Sequence, residues 1–257
     1  MERVEYERMA AVEERMWWFR ALHRNLIRIW FAAGHAKGGR ILDAGCGTGG
    51  LLAFLGGLPD KGGGDFRAGI DRDALACDLA RAKTGDAISQ ALISRASIDA
   101  LPFSDGVFDA VFSADVLCHD GVDQQAALLE MRRCLKPGGL LVLNLPAYRW
   151  LFSAHDRAVA NARRYGRAEV AGLLAASGFT GIKTSYWNTL LFPLMVARRK
   201  LMSSEGGEAS DVALLPRPIE GLLNLIATAE SGILAGLLAW GLRLPFGGSI
   251  LAAGMKP

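Results

Sequence analysis

The run Asp43-Ala44-Gly45-Cys46-Gly47-Thr48-Gly49 sets three glycines at alternate positions between an apolar stretch, 40–44, and the start of a helical period. A ligand can meet bare backbone there. Glycine accepts positive φ and has no Cβ to hold a ligand off. The first turn of the following helix leaves N–H groups without partners. The spacing is GxGxG, not the GxGxxG that a dinucleotide pyrophosphate uses, and an acid at 43 would repel a phosphate while tolerating a cationic group. A tight turn with no ligand would use the same glycines, so the loop gains meaning only from its neighbours. Asp71 closes the next apolar run, twenty-two residues after Gly49. A carboxylate there can accept a hydrogen bond from each of two ribose hydroxyls. Asp99-Ala100-Leu101-Pro102-Phe103 follows a third run; its acid can pair with an exocyclic amine while its neighbours sandwich a purine.

These residues must be held by regular elements. Short apolar runs at 40–44, 67–71, 91–96, 108–113 and 140–145 alternate with helical periods at 48–57, 73–83 and 124–135. That rhythm predicts an α/β fold, a parallel sheet wound on both sides with helices on both faces. The last strands are expected at 180–187 and 249–255, after a helix at 167–178 that Gly178 ends. The run 140–145 is apolar without a break, which suits a strand covered on both faces. Ahead of the sheet, residues 3–31 read as one helix with Met9, Val12, Met16, Phe19, Leu22, Leu26 and Ile29 on a stripe. Met16-Trp17-Trp18-Phe19 holds too many aromatics for one stripe, so at least one Trp must face a ligand, a lid or a partner. The division expected is a helical cap at 1–37, a ligand-binding domain at 38–187 with 247–257, and an apolar helical insertion at 188–246.

Composition narrows the function classes. The chain has 257 residues, 51% of them hydrophobic and 21% charged, which excludes global disorder. Its 29 basic and 26 acidic residues leave a net charge of +3, so no nucleic-acid partner is expected. The absence of an Asn/Asp-Pro-Pro-Tyr/Phe tetrapeptide points the same way. Cys46, Cys77, Cys118 and Cys134 form no CxxC pair and no secretory leader is visible, which reads as reduced, cytoplasmic thiols. His23, His35, His119 and His155 have no metal-ligand spacing, so no metal is expected.

Taken together, Ile41-Leu-Asp-Ala-Gly-Cys-Gly-Thr-Gly-Gly50, Gly69-Ile70-Asp71, Asp99 to Phe103, Phe108-Asp109-Ala110-Val111 and Leu135-Lys136-Pro137-Gly138-Gly139 resemble the class I S-adenosylmethionine-dependent methyltransferases. The resemblance covers about 38–187 and the terminal strand, in the family's order. It implies S-adenosylmethionine as cofactor and a Rossmann-like seven-stranded, mostly parallel sheet with an antiparallel last strand. It also implies that Asp43, Gly45, Cys46, Gly47 and Gly49 line the methionine part, that Asp71 holds the ribose, and that Asp99, Ala100 and Leu101 meet the adenine. Arg72 stands where an apolar residue is usual and can stack on the base. Ala114 and Asp115 would pass near the sulfonium, and Trp18 would cap the pocket from the N-terminal helix. Met16 to Arg20, Ser153 to Asp156 and Arg163-Arg164-Tyr165 look like one bacterial branch of the family, whose members mostly have no assigned acceptor.

Methyl transfer of this kind is an in-line displacement, so the protein mainly aligns the acceptor and excludes water. A hydroxyl acceptor needs a base. His119 and His155 are the candidates, each beside an Asp, and Tyr165 is a third catalytic candidate; a local hydrogen bond or a core position is the plain alternative for each. Arg163 and Arg164 suit an acidic acceptor or a solvated basic face. Cys46 reads as a space-filling residue. The insertion holds no run long enough to cross a bilayer, since Glu220, Glu230 and Arg243 interrupt it and its longest uncharged run, 231–242, has twelve residues. It reads as a lid over a small or medium lipophilic acceptor, a homodimer surface, or a contact with the inner face of a membrane. O-methylation is the first expectation and C-methylation the second. The alternative is a non-catalytic, cofactor-binding scaffold that uses 188–246 as its partner surface. A nicotinamide oxidoreductase is disfavoured by the glycine spacing.

Overall fold

The computed structural model describes residues 2–34, 39–58, 66–85, 91–202, 212–239 and 242–257. Seven strands form one sheet: β1 (Arg40–Ala44), β2 (Phe66–Asp71), β3 (Ala91–Arg95), β4 (Phe108–Ala114), β5 (Leu135–Pro146), β6 (Thr180–Trp187) and β7 (Ser249–Met255). Their order is β3-β2-β1-β4-β5-β7-β6. β1 to β5 run parallel, and β7 lies antiparallel to both of its neighbours. The sheet is the one the sequence predicts. Strand order reverses between β1 and β4, and the carboxyl ends on either side of such a reversal leave a crevice for a ligand.

The described helices are α1 (Arg3–Val12), α2 (Trp17–Ala32), α3 (Gly50–Gly56), α4 (Ala74–Thr84), α5 (Gln124–Cys134), α6 (Ala154–Ala158), α7 (Arg167–Ala176), α8 (Phe192–Met202) and α9 (Arg217–Ala239). Local chemistry sets several starts. Asp73 accepts from Leu75 N and Ala76 N at the head of α4, and Asp123 does the same for Gln125 N and Ala126 N at α5. Gly178 takes φ +78° just beyond α7. One core lies between the sheet and α5 and α7, the other between the sheet and α2, α3, α4 and α9.

Two expectations change here. The single helix at 3–31 is two helices, broken at 13–16. The break turns Glu13 inward, where it is 3% exposed. It also frees the Trp17 amide, which donates to Glu220 Oε2 at 2.9 Å. Tertiary bonds to these groups outweigh continuing the helix. The insertion is α8 and α9 joined by a segment at 203–211 that lies outside the described residues. α9 packs along α2, burying Leu223, Ala227 and Leu234. The acids that interrupt its apolar run are structural: Glu230, 4% exposed, accepts from the amides of Thr189 and Leu190 at 3.0 and 2.8 Å. No helix among the described residues is long and apolar enough to cross a membrane.

Candidate active site

A cavity of about 990 Å³ opens at the reversal point. It stands at the upper end of the ~300–1,000 Å³ typical of small-molecule sites, so it has room for more than one small ligand. Its inner wall is the β1 loop, the end of β2 and the chain after β3. Its outer wall comes from α1, α2, α8 and the residues before α9.

The inner wall has little tolerance. Gly45 has φ +89°, and a Cβ there would sit 2.2 Å from Val116 Cγ2. Only glycine lets the chain turn off β1 beneath the loop after β4. Asp71 is bound at both oxygens: Gly47 N donates to Oδ2 at 3.0 Å and Asp73 N to Oδ1 at 2.9 Å. Burial raises the Asp71 pKa, and hydrogen bonds from the amides of Asp73, Gly47 and Arg72 work against that rise. Asp43 is 3% exposed, and its pKa is pushed up to about 8 by burial and by the charges of Asp71 and Glu13. Burial likewise raises Cys46 well above its ordinary value. That suits its reading as a filler of space, against Gly69.

Asp115 sits at the meeting of the two walls with φ +56°, uncommon for a residue other than glycine. A short chain of bonds fixes it. The Trp187 indole can only donate, and its Nε1 donates to Asn144 Oδ1 at 2.7 Å. That leaves Asn144 Nδ2 to donate to Asp115 Oδ2 at 2.9 Å, while Asp115 N donates to the Asn144 carbonyl at 2.8 Å. Burial pushes Asp115 up to about 7, against the Asn144 hydrogen bond. His119 and His155 line the same region. Burial, helped by the charge of Arg72, pushes His119 down to about 4. Beside them stands Arg164, 4% exposed, whose Nε donates to Asp156 Oδ1 at 2.9 Å and Nη1 to the Ala147 carbonyl at 3.0 Å.

Of the residues the sequence nominates, Asp43, Gly45, Cys46, Gly47, Asp71, Arg72, Ala114, Asp115, Trp18, His119 and His155 all line this cavity. Five do not. Gly49 has φ +86° at the head of α3, and a Cβ on it would meet the Ala80 backbone at 3.0 Å. Its role is close packing of α3 on α4. Asp99, Ala100 and Leu101 lie past the cavity. Ser97 and Ile98, just upstream, reach it instead, and Leu101 is a core residue whose amide donates to Glu130 Oε2 at 2.8 Å. Tyr165 is 1% exposed, and its hydroxyl is spent inside the core on the Leu117 carbonyl at 2.8 Å and on Gln124 Nε2. It is a core tyrosine and is not part of the cavity lining.

The N-terminal segment contributes residues that sequence reasoning missed. Glu5, Tyr6, Met9 and Glu13 of the cap, with His23 of α2, line the cavity. Glu13 Oε1 accepts from Thr48 Oγ1 at 2.5 Å and pairs with Lys83 of α4, joining the cap to the glycine loop. Burial raises Glu13 despite Lys83, and it drives His23 down to about 3, helped by the Lys83 charge. A signal existed: Glu5 and Glu13 stand four residues either side of Met9, on the stripe that should be apolar.

Residues 42–143 match the sequence model of a family described as methyltransferase domain. The O-methyltransferase cnsE of Penicillium expansum is 34% identical over 110 residues, 42% of this chain and 38% of that protein. The ubiquinone/menaquinone biosynthesis C-methyltransferase UbiE of Erwinia tasmaniensis is 34% identical over 127 residues, 48% of this chain and 50% of that protein. The chain therefore spans half or less of the length of these two relatives. A crystal structure of a SAM-dependent methyltransferase from Thermotoga maritima superposes with a TM-score of 0.58 over 98% of this chain and 95% of that one, at 19% identity. That likeness is one of fold.

Proposed function

We propose that the chain, whose residues 42–143 match a methyltransferase-domain family, transfers a methyl group from S-adenosylmethionine to a small or medium, lipophilic acceptor. The observation that carries this is the continuity of one cavity from an acid-rich end to an apolar end. Glu5, Glu13, Asp43, Asp71 and Asp73 line the first, with Leu191, Leu194, Met195 and Leu223 on the second.

The inner end fits the cofactor. A ligand carrying a sulfonium and an ammonium is favoured by carboxylates that are otherwise costly to ionise. In this reading Asp71 takes the ribose diol, and Arg72, Ser97 and Ile98, which line the same cavity, flank the base. Bound there, S-adenosylmethionine supplies an electrophilic methyl group. The chain supplies alignment and proton handling. Trp187 and Asn144 hold the Asp115 carboxyl at the junction of the two ends. His119, neutral at pH 7, keeps an imidazole lone pair available to an acceptor hydroxyl, and His155 is the second candidate base. Leu191, Leu194 and Leu223 exclude water from the acceptor and order its apolar part. A hydroxyl oxygen is the attacking atom in this reading, and a carbon is the second choice.

The test is transfer of labelled methyl to fractionated lipid and aqueous cell extracts, with calorimetric titration of the cofactor alongside. Label in the lipid-soluble fraction is expected. Label confined to the polar fraction removes the lipophilic acceptor. Cofactor binding with no labelled product in any fraction turns the reading to a binding scaffold, and no cofactor binding ends it.

A further inference from the structure

The exposed apolar surface of this protein is concentrated in the insertion. Among the described residues fifteen large apolar side chains are exposed, and nine of them lie between 188 and 246. Ile219, Leu222, Leu225 and Ile233 form one outer face of α9, at 45%, 57%, 66% and 52% exposure. The opposite face, with Leu223, Ala227 and Leu234, packs on the protein. A face this apolar is too large to be ordinary scatter of surface leucines.

Charge says what covers it. At the N-terminal end of α9, Arg15, Arg20 and Arg217 line one cleft with Leu215 and Glu220. Both oxygens of Glu220 are engaged by backbone amides, Oε2 by Trp17 N at 2.9 Å and Oε1 by Leu215 N at 3.1 Å. The cleft therefore holds three arginines beside one carboxylate that is already bonded. Arg20, Arg24 and Arg28 also recur at every fourth residue along α2, like charges that repel at this spacing. A second copy of the chain, docking the same face in a symmetric dimer, would bring its own three arginines to the same patch. A surface of phosphates would neutralise them.

Leu215 lines both the arginine cleft and the large cavity. Leu194, 60% exposed, also lines the cavity. The cavity thus opens beside the arginines and along the apolar face. Exposed Trp150 and Phe246 pack around Phe192 where α8 begins, and such amphipathic or aromatic edges suit a lipid–water boundary.

We infer that the outer face of α9, with the Arg15/Arg20/Arg217 cleft, docks on an anionic phospholipid bilayer and presents the cavity mouth to it. The chain then lies on the membrane surface without spanning it. Leucines enter the boundary while the arginines meet lipid phosphates.

The test is flotation of the full chain with vesicles of phosphatidylcholine alone and of phosphatidylcholine mixed equally with phosphatidylglycerol. Recovery on the anionic vesicles should exceed that on neutral ones by at least about tenfold and should fall as salt rises. Arg15→Glu with Arg217→Glu should abolish that preference. Leu222→Ser with Leu225→Ser should lower binding to both vesicle types. Cofactor titration of both variants reports that the fold is intact. Equal recovery on both vesicle types overturns the inference, as does no recovery on either. So does a dimer, seen by light scattering, that the leucine variants dissociate. None of these outcomes touches the cofactor reading, which calorimetry decides separately.

Discussion

The β1 loop and the α8–α9 insertion face each other across one cavity and are built by opposite rules. In the loop almost every atom has a fixed neighbour: Gly45 has no room for a methyl group, and Asp71 spends a lone pair of each oxygen on a backbone amide. In the insertion, side chains such as Leu194 and Leu222 are more than half exposed, and a Cβ added at Gly221, Gly232 or Gly236 would meet nothing within 4 Å. The first wall fits a ligand whose shape never varies. The second is a greasy surface that accepts a shape only loosely. A transferase with a constant donor and its own particular acceptor needs this division, since tight fit on the acceptor side would gain little beyond water exclusion and alignment.

Gly45→Ala should break the loop side hardest. The residue would be strained at φ +89°, at roughly 1–3 kcal/mol, and its Cβ would overlap Val116, at about another 1–3 kcal/mol. The expected result is a marked fall in melting temperature and loss of cofactor binding. A variant that binds the cofactor with unchanged affinity would show that the loop yields more than its contacts suggest.

Glu13→Ala comes next. It leaves Lys83, whose side chain is 12% exposed, without its ion-pair partner and leaves the Thr48 hydroxyl unpaired. Breaking a buried pair on one side costs about 3–5 kcal/mol. The cap should undock, making 2–16 sensitive to protease and weakening cofactor binding while the sheet still melts cooperatively. Glu13→Gln, which can still accept from Thr48, should lie between. Unchanged protection of the cap in the Ala variant would remove Glu13 as the link between the two.

A smaller effect should appear with pH. Asp43 and Asp115 rise from 3.8 to about 8 and about 7 because burial penalises their charged forms. The protonated form is therefore the one the fold prefers. Their contribution to stability is fully present below about pH 4 and is lost as pH rises through 7 and 8. A cationic ligand beside Asp43 favours the carboxylate again. Cofactor binding near pH 7 should release protons, and affinity should rise between pH 6 and 8. Calorimetry in buffers of different ionisation heat measures the release. Asp43→Asn should diminish it, and an unchanged release in that variant would place the proton elsewhere.

How much of this was legible in the sequence follows the same divide. Gly45, Asp71 and the strand positions could be read because local rules fix them: a glycine where φ is positive, an acid at a strand end, apolar runs of strand length. The cap was legible as a helix that brings Trp18 to the pocket, but not as a wall built from Glu5, Tyr6, Met9 and Glu13. Its facing depends on the break at 13–16, which exists because Glu13 and the Trp17 amide find partners in distant elements. After β3 the cavity is lined by Ser97 and Ile98, two to three residues before the expected Asp99 to Leu101. No local pattern states where a loop passes closest to a cavity. Tyr165 looked reactive because burial cannot be read from residue type, and only the core shows its hydroxyl bonded to Leu117.

The weakest expected effect belongs to the apolar wall, and its weakness is what makes it informative. Leu194 lines the cavity yet is 60% exposed, so Leu194→Ala creates no closed void. Stability should stay within about 0.5 kcal/mol of the parent chain, and cofactor affinity should not move. What is lost is part of the apolar area offered to the acceptor, at roughly 0.8 kcal/mol per buried methylene. If that contact is made equally in the ground state and at methyl transfer, KM for the acceptor should rise about three- to tenfold with kcat unchanged. A fall in kcat instead would mean that Leu194 helps align the reacting atoms. The insertion would then be as exacting as the glycine loop, and the division between the two walls would not hold.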